Sequence, residues 1–546
     1  MSTVTMSADE IYSKCHDEKD QDAQLKCIIK QLVDQDQEDG NYTSRIFLVY
    51  SAALVFFMQA GFAMICAGSV RKKNVGNSML KNLLDACGAA VAYFCFGYAF
   101  AFGDGSNPNG FIGTTNFFLM DVDNYAFWMF EYAFSAASAT IVAGTLAERC
   151  QMAAYLCYSF VLAGFVYPVV SHAIWSPHGF LSSNVAREDK LFGSGVVDFA
   201  GGGVVHLVGG CTALFATMIL GPRRGRFHDD EGRKLDKPIT FPGHSIALQM
   251  LGCFILWFGW YGFNSGSALI ATSNERGKLV ALSAVNTTLS GGTAGLVALF
   301  VNLFVLERRL GEPIFDLRMA MNGSLSGLVA ITAGCGVVEP WAAMLIGGIA
   351  GLLYIGGSNL LLKLRLDDAV DAIPVHMVNG MWGLIAVGFL ACPRYLNMTY
   401  GKEIAHVGWF YSLGRGSSDA RLLAAQIVAI LFILGWCLGI MMPFFIWLDW
   451  KGWFRSDPLE EIVGLDTSYH GGLILMSGDD SVNPEYVSQF KKERNDLRRR
   501  TTRSKRNLYE NANVVNENAT NVVVDEELME DCKNSATAAT SQENSS

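Results

Sequence analysis

The sequence predicts an all-α polytopic membrane protein with eleven transmembrane helices, built as two inverted five-helix repeats plus a final helix. Three observations predict it. Charge is scarce: 17% of the 546 residues are charged and 51% are hydrophobic, where water-facing domains carry roughly 25% charged residues. Apolar runs of about the 20 residues that a bilayer core demands recur along the chain. One polar pattern also repeats inside these runs at a spacing that inverts its orientation. The 56 glycines agree, since small residues let membrane helices approach closely.

The runs fall near 46–68, 86–103, 125–147, 152–175, 196–221, 243–263, 279–306, 319–338, 341–362, 372–392 and 422–448. Glu339-Pro340 alone separates the eighth from the ninth. Basic residues in short loops are retained in the cytoplasm. They follow the odd-numbered runs: Arg71-Lys72-Lys73, Arg149, Arg223 with Arg224 and Arg226, Arg308 with Arg309 and Arg318, then Lys363 and Arg365. The loop 104–124 has neither Lys nor Arg. The expected topology is a multi-pass plasma-membrane protein, N-terminus extracellular and C-terminus cytoplasmic. Asn41-Tyr42-Thr43 and Asn397-Met398-Thr399 are glycosylation sequons on the expected outer side.

The expected domains are an extracellular acidic segment (1–45), a transmembrane domain (46–448), a cytoplasmic tail segment (449–475) and a basic, then disordered, tail (476–546). The polar first 45 residues predict no cleavable signal peptide. Most of the 13 cysteines sit singly in apolar runs and no CxxC pair occurs, so no metal site and no cofactor is expected. Cys15 and Cys27 lie outside the runs and are free to pair on an extracellular end. No activated nucleophile or metal constellation supports an enzyme. The basic cluster from Lys491 to Arg506, including Arg498-Arg499-Arg500, suits anionic inner-leaflet lipid rather than nucleic acid. From about 507 the chain is polar and expected to be disordered.

The repeat carries the chemistry. Asp198-x7-His206-x-Val208-x-Gly210 recurs 170 residues later as Asp368-x7-His376-x-Val378-x-Gly380. Five runs separate the copies, so the halves insert with opposite orientation, and such repeats place a site near the bilayer midplane. Ionisable groups there are costly and mark functional sites. A neutral imidazole offers one donor and one acceptor, enough to pass a proton or hold a small hydrogen-bonding solute.

Asp198-Phe199-Ala200-Gly201-Gly202-Gly203-Val204-Val205-His206, the later Gly221-Pro222-Arg223, Ala147-Glu148-Arg149, Trp257-Phe258-Gly259-Trp260-Tyr261-Gly262-Phe263-Asn264 and Val338-Glu339-Pro340-Trp341 resemble the signatures of the ammonium transporter (Amt/Rh) family, Amt branch, over about residues 46–471. The resemblance implies a homotrimer with one conduction path per subunit. It implies ammonium recruitment at Trp175 and Ser267 with Phe134, a gate of Phe134 and Phe263, the pore histidines His206 and His376, and Asp198 behind the recruitment site. Glu131 departs from the amide that the family often has near this position. It is a candidate vestibule residue that would attract cations if ionised.

Glu460-Glu461-x2-Gly464-x-Asp466-x3-His470-Gly471 resembles the family's regulatory tail, with Thr467 and Ser468 as its candidate kinase targets. Gly464 suits a position needing positive φ or close approach. The expected function is ammonium transport: the cation binds outside, gives up a proton, and ammonia crosses the hydrophobic path while the proton moves separately, making transport electrogenic. The alternatives are an electroneutral ammonia or carbon dioxide channel of the Rh type, and an ammonium sensor signalling through its tail.

Overall fold

The computed structural model describes Cys15 and residues 21–229, 231–269, 273–307, 314–401, 406–470, 488–489 and 492. The chain forms two compact units, Met1–Asp479 and Asp480–Ser546. In the second unit Ser488, Gln489 and Lys492 are described and helical; Arg498-Arg499-Arg500 lie outside the described residues.

Ten described helices are long and apolar enough to cross a membrane. They are α1 (Gly40–Ser69), α2 (Lys72–Phe102), α3 (Tyr125–Thr145), α4 (Met152–Trp175), α5 (Gly202–Leu220), α6 (Ile246–Gly266), α7 (Asn274–Val305), α9 (Pro340–Leu364), α10 (Ile373–Leu390) and α11 (Arg421–Trp450). Between α7 and α9 lies α8 (Leu317–Thr332). The expected eighth run, 319–338, therefore folds differently at its end. Its 16 helical residues reach about 24 Å at 1.5 Å per residue, and Ala333 to Glu339 form turns before Pro340 opens α9.

Two other boundaries move for identifiable reasons. The helix containing α1 begins at Gln21, inside the acidic segment, and Cys15 is disulfide-bonded to Cys27. Both sequon asparagines, Asn41 and Asn397, are exposed and lie in helices. The run expected at 86–103 is the later part of a longer α2. Its earlier turns carry Lys73, Lys81 and Asp85, all buried, so an apolar-run reading stops short. Lys81 is satisfied by donating to the Cys150 carbonyl at 2.5 Å.

Helix starts follow elementary capping chemistry. Asn124, Ser245, Ser273 and Asp316 accept backbone N–H groups at the first turns of α3, α6, α7 and α8. The halves interlock through equivalent elements: α1 packs on α6, and α5 packs on the first turn of α10. At the latter contact the repeated glycines do the same job twice. A Cβ on Gly210 would lie 2.3 Å from the Met377 nitrogen, and one on Gly380 would lie 2.8 Å from the Gly202 oxygen. A side chain at either would force the half-repeats apart.

One end of the helix bundle is fastened by buried ion pairs. Arg223 binds Glu148 at 3.0 Å and Asp367 at 2.8 Å, and Arg71 completes the Glu148 carboxylate at 2.5 Å. Arg149 is fully buried and donates to the Gly221, Ala147 and Asp367 carbonyls. These arginines thus join four loops. Burial pushes the Glu148 and Asp367 carboxyls up, but Arg223 outweighs it and holds both below their ordinary values.

After α11 the chain turns back into two short helices, α12 (Pro458–Val463) and α13 (Leu465–His470). An Asp457–Glu460 capping box starts α12. Gly464 links them at φ +106°, where a Cβ would lie 2.7 Å from the Lys73 Cβ and 2.8 Å from its oxygen. Position 464 therefore needs glycine for both conformation and space. Asp466 accepts the Gly76 and Asn77 N–H groups at 2.9 and 2.6 Å, and Asn74 accepts from Leu465 at 2.9 Å. Burial raises the Asp466 carboxyl, and these N–H bonds pull it back.

Candidate functional site

The site is assembled from α1, α3, α4, α5, α6 and α10. Asp198 precedes α5, and its carboxylate accepts four successive backbone N–H groups: Gly201 (3.0 Å), Gly202 (2.8 Å), Gly203 (2.8 Å) and Val204 (3.0 Å). Buried donors at a helix start need partners, and one carboxylate supplies all four. The second copy works likewise with fewer bonds: Asp368 accepts Val370 at 3.2 Å and Ile373 at 2.7 Å. Both helices open with a wide π-type turn, Gly202–Leu207 and Ile373–Val378, and each turn presents its histidine. Such turns are frequent at functional positions.

A cavity of about 180 Å³ is lined by Glu131, Phe134, Trp175, Asp198 and Ser267 among others. Trp175 closes α4, and its indole N–H donates to the Asp198 carbonyl at 2.7 Å, fixing the ring. Phe134 meets it edge to face, centroids 6.0 Å apart at 74°. Ser267 sits at the C-cap of α6 and donates to the Phe263 carbonyl at 2.8 Å. Glu131 lies one turn before Phe134 on α3 and is 4% exposed.

Phe134 and Phe263 stack at 4.0 Å and 22° and are both buried, forming the constriction at the inner edge of this cavity. Beyond it the rings continue as a column. Phe263 stacks on His206 at 5.4 Å, and His206 stacks on His376 at 5.2 Å. The two Nδ1 atoms are 3.2 Å apart, so one ring must donate and the other accept. Nε2 of His206 is buried with no partner among the described residues. A small cavity of about 30 Å³ touches His376 and shares Ile65, Asn322 and Val370 with a larger one of about 250 Å³ among Arg223, Arg226 and Asp367. Vestibule, ring column and inner cavities therefore form one sequence of features.

The sequence-selected residues Phe134, Trp175, Asp198, Ser267 and Glu131 meet at the vestibule, and Phe134, Phe263, His206 and His376 meet along the column. Gly464, Asp466, Thr467 and Ser468 meet elsewhere, against the start of α2. Two residues of the site escaped sequence reading. Trp260 stacks on His206 at 5.3 Å and donates to Thr332 at 3.0 Å, and Phe62 lies 6.2 Å from His376. Trp260 stands three residues before Phe263, one helical turn away, which is the signal that would have found it. Phe62 has no such signal.

The Ammonium Transporter Family matches residues 46–473. Ammonium transporter 1 member 3 of Solanum lycopersicum is 43% identical over 460 residues, covering 82% of this chain and 95% of its own. Ammonium transporter 3 of Dictyostelium discoideum is 40% identical over 439 residues, covering 79% and 94%. Among solved structures, one described as a sensor Amt protein superposes with a TM-score of 0.67 at 30% identity, covering 79% of this chain and 99% of that one. Mep2 of Candida albicans gives 0.66 at 26% identity, covering 81% and 92%. The match spans the vestibule, the ring column and the tail helices alike, and the chain belongs to the Ammonium Transporter Family.

Proposed function

We propose that the chain is an electrogenic ammonium transporter of the plasma membrane, working as a trimer of eleven-helix subunits with its N-terminus outside. The observation that carries the reading is the column in which stacked Phe134 and Phe263 lead directly to two imidazoles whose Nδ1 atoms are 3.2 Å apart. Ammonium is recruited over the Trp175 indole, beside Phe134 and Ser267. A cation over an indole gains about 0.5–2 kcal/mol, enough to collect it without trapping it. An intact cation cannot cross the phenyl pair, since isolated buried charge costs on the order of tens of kcal/mol by Born estimates. Ammonia crosses instead, and the proton moves separately along His206 and His376. Potassium has no proton to shed and is refused.

The same reading gives the segments their work: 1–45 outside, 46–448 as transport domain, 449–475 as regulatory tail, and the basic stretch of 476–546 as a partner for anionic inner-leaflet lipid. Ser468 is 9% exposed and donates to the Gly464 carbonyl at 3.0 Å, so a kinase acts on it only after α13 leaves its seat on α2. Ammonium-evoked current and labelled uptake measured together test the reading. Both occur in the wild type, and current is lost in His206→Ala and His376→Ala at normal surface level. Uptake without current would favour the electroneutral Rh-type alternative. A sensor reading draws on the neighbour described as a sensor Amt protein; signalling that survives in a transport-dead His206→Ala variant would favour it.

A further inference from the structure

Deprotonation at the vestibule requires a proton acceptor, which the recruitment residues do not supply. Indole and phenyl rings have no basic atom, and the Ser267 hydroxyl already donates to a carbonyl. Both oxygens of Asp198 accept backbone N–H bonds, two each, so their lone pairs are committed. Glu131 differs on every count. It lines the same cavity as Phe134, Trp175 and Ser267, is 4% exposed, and its Oε2 has no partner among the described residues. Among the described residues no Lys or Arg forms an ion pair with it. Arg276 lines the same cavity, and the other titratable groups facing Glu131 are the phenols of Tyr93 and Tyr98 on α2 and Tyr167 on α4.

A buried polar atom without a partner is costly and persists where it has work to do. The hydroxyls of Tyr93, Tyr167 and Ser171 are likewise buried and unpartnered among the described residues. Tyr167 faces the Glu131 carboxyl. Helices α2 and α4 thus bring the hydroxyls of Tyr93 and Tyr167 to face one carboxyl on α3.

From this arrangement we propose that Glu131 is the proton acceptor of the vestibule, taking the proton from ammonium held against Trp175 and Phe134. One N–H bond of the cation breaks, its electron pair stays on nitrogen as ammonia, and an O–H bond forms at Glu131 Oε2. Charge balances within the cavity: cation plus carboxylate become neutral amine plus neutral acid, and the uncharged ammonia faces the phenyl constriction. The acid resets when that proton leaves in a relay toward the histidine pair, the adjacent Tyr167 hydroxyl accepting it only as it releases its own. The inference rests on the transport reading above and adds the missing base.

The test is Glu131→Gln, which keeps shape and hydrogen-bonding capacity and removes the basic oxygen. Expected is a fall in maximal ammonium current and uptake of at least tenfold at normal surface level. The ammonium concentration that quenches vestibule tryptophan fluorescence by half should move less than threefold. A merely structural role predicts the opposite split, with binding lost alongside rate or neither changed. Glu131→Gln transporting at the wild-type maximum overturns the proposal. Should that variant not reach the membrane, infrared difference spectra of wild-type protein in lipid decide. Added ammonium must produce the carbonyl stretch of a newly protonated carboxyl, and its absence overturns the proposal. If the histidine variants keep full current, the pore reading fails whatever Glu131→Gln does. If they lose it while Glu131→Gln does not, this inference alone fails.

Discussion

Replacing Asp198 by asparagine gives a stability loss that can be worked from its contacts. The carboxylate accepts four N–H groups at 2.8–3.0 Å, two per oxygen. An amide keeps one acceptor oxygen and turns its NH₂ toward the other two donors. Two buried N–H groups are then left unpaired, at about 1–3 kcal/mol each, so Asp198→Asn costs about 2–6 kcal/mol. The repeat supplies an internal control. Asp368 accepts two N–H groups, one per oxygen, so Asp368→Asn orphans one and costs about 1–3 kcal/mol. Melting of the purified protein in lipid nanodiscs should show that order: wild type highest, then Asp368→Asn, then Asp198→Asn. Transport should fall further in Asp198→Asn, because the segment that slips also anchors Trp175 through its indole N–H at 2.7 Å. Equal melting temperatures for the two variants, or wild-type stability in Asp198→Asn, would refute the capping argument.

Other consequences are equally direct. Trp175→Leu removes the indole face and should raise half-saturating ammonium about 2- to 30-fold, the equivalent of 0.5–2 kcal/mol, with surface level unchanged; uptake at graded concentrations reads it. Ser468→Asp places a second carboxylate two residues from Asp466, in a seat where residue 468 is 9% exposed, and should loosen α13 and lower uptake at normal surface level. Full-rate transport by that variant would leave both hydroxyls as turn-formers only. Acid should weaken the ion-pair fastening in a defined direction. Glu148 and Asp367 have depressed folded values, so their contribution is complete above the ordinary carboxyl values near about 4. It is lost as pH falls through the folded values. Thermal stability measured from pH 7 downward should show this loss below about pH 4, and Arg223→Gln, having already lost the pairing, should show less of it.

Much of this architecture is written in local pattern and some is not. The apolar runs fix most helices because each must satisfy its own backbone in lipid. The Asp-x7-His repeat is legible because one local device, an aspartate capping a helix that presents a histidine, is used twice. Lys81 and Asp85 hide the start of α2, since a run-based reading cannot know that Cys150, 69 residues away, accepts the lysine. The Arg223–Glu148–Asp367 cluster joins residues 75 and 144 positions apart, and no single window contains it. Family resemblance selected Phe134 and Phe263, but their 4.0 Å stacking is a property of how α3 packs near α6. Glu131 stood out in sequence as a misplaced acid; only the structure shows that its oxygen is buried and unpartnered.

The central claim is that the cation is taken apart at the phenyl pair rather than passed whole. Ion-replacement current through the unmodified protein tests this most directly, with ammonium exchanged for potassium or caesium at equal concentration and voltage. The account predicts inward current with ammonium and none above background with either alkali cation. Robust potassium or caesium current through the wild-type protein would contradict it.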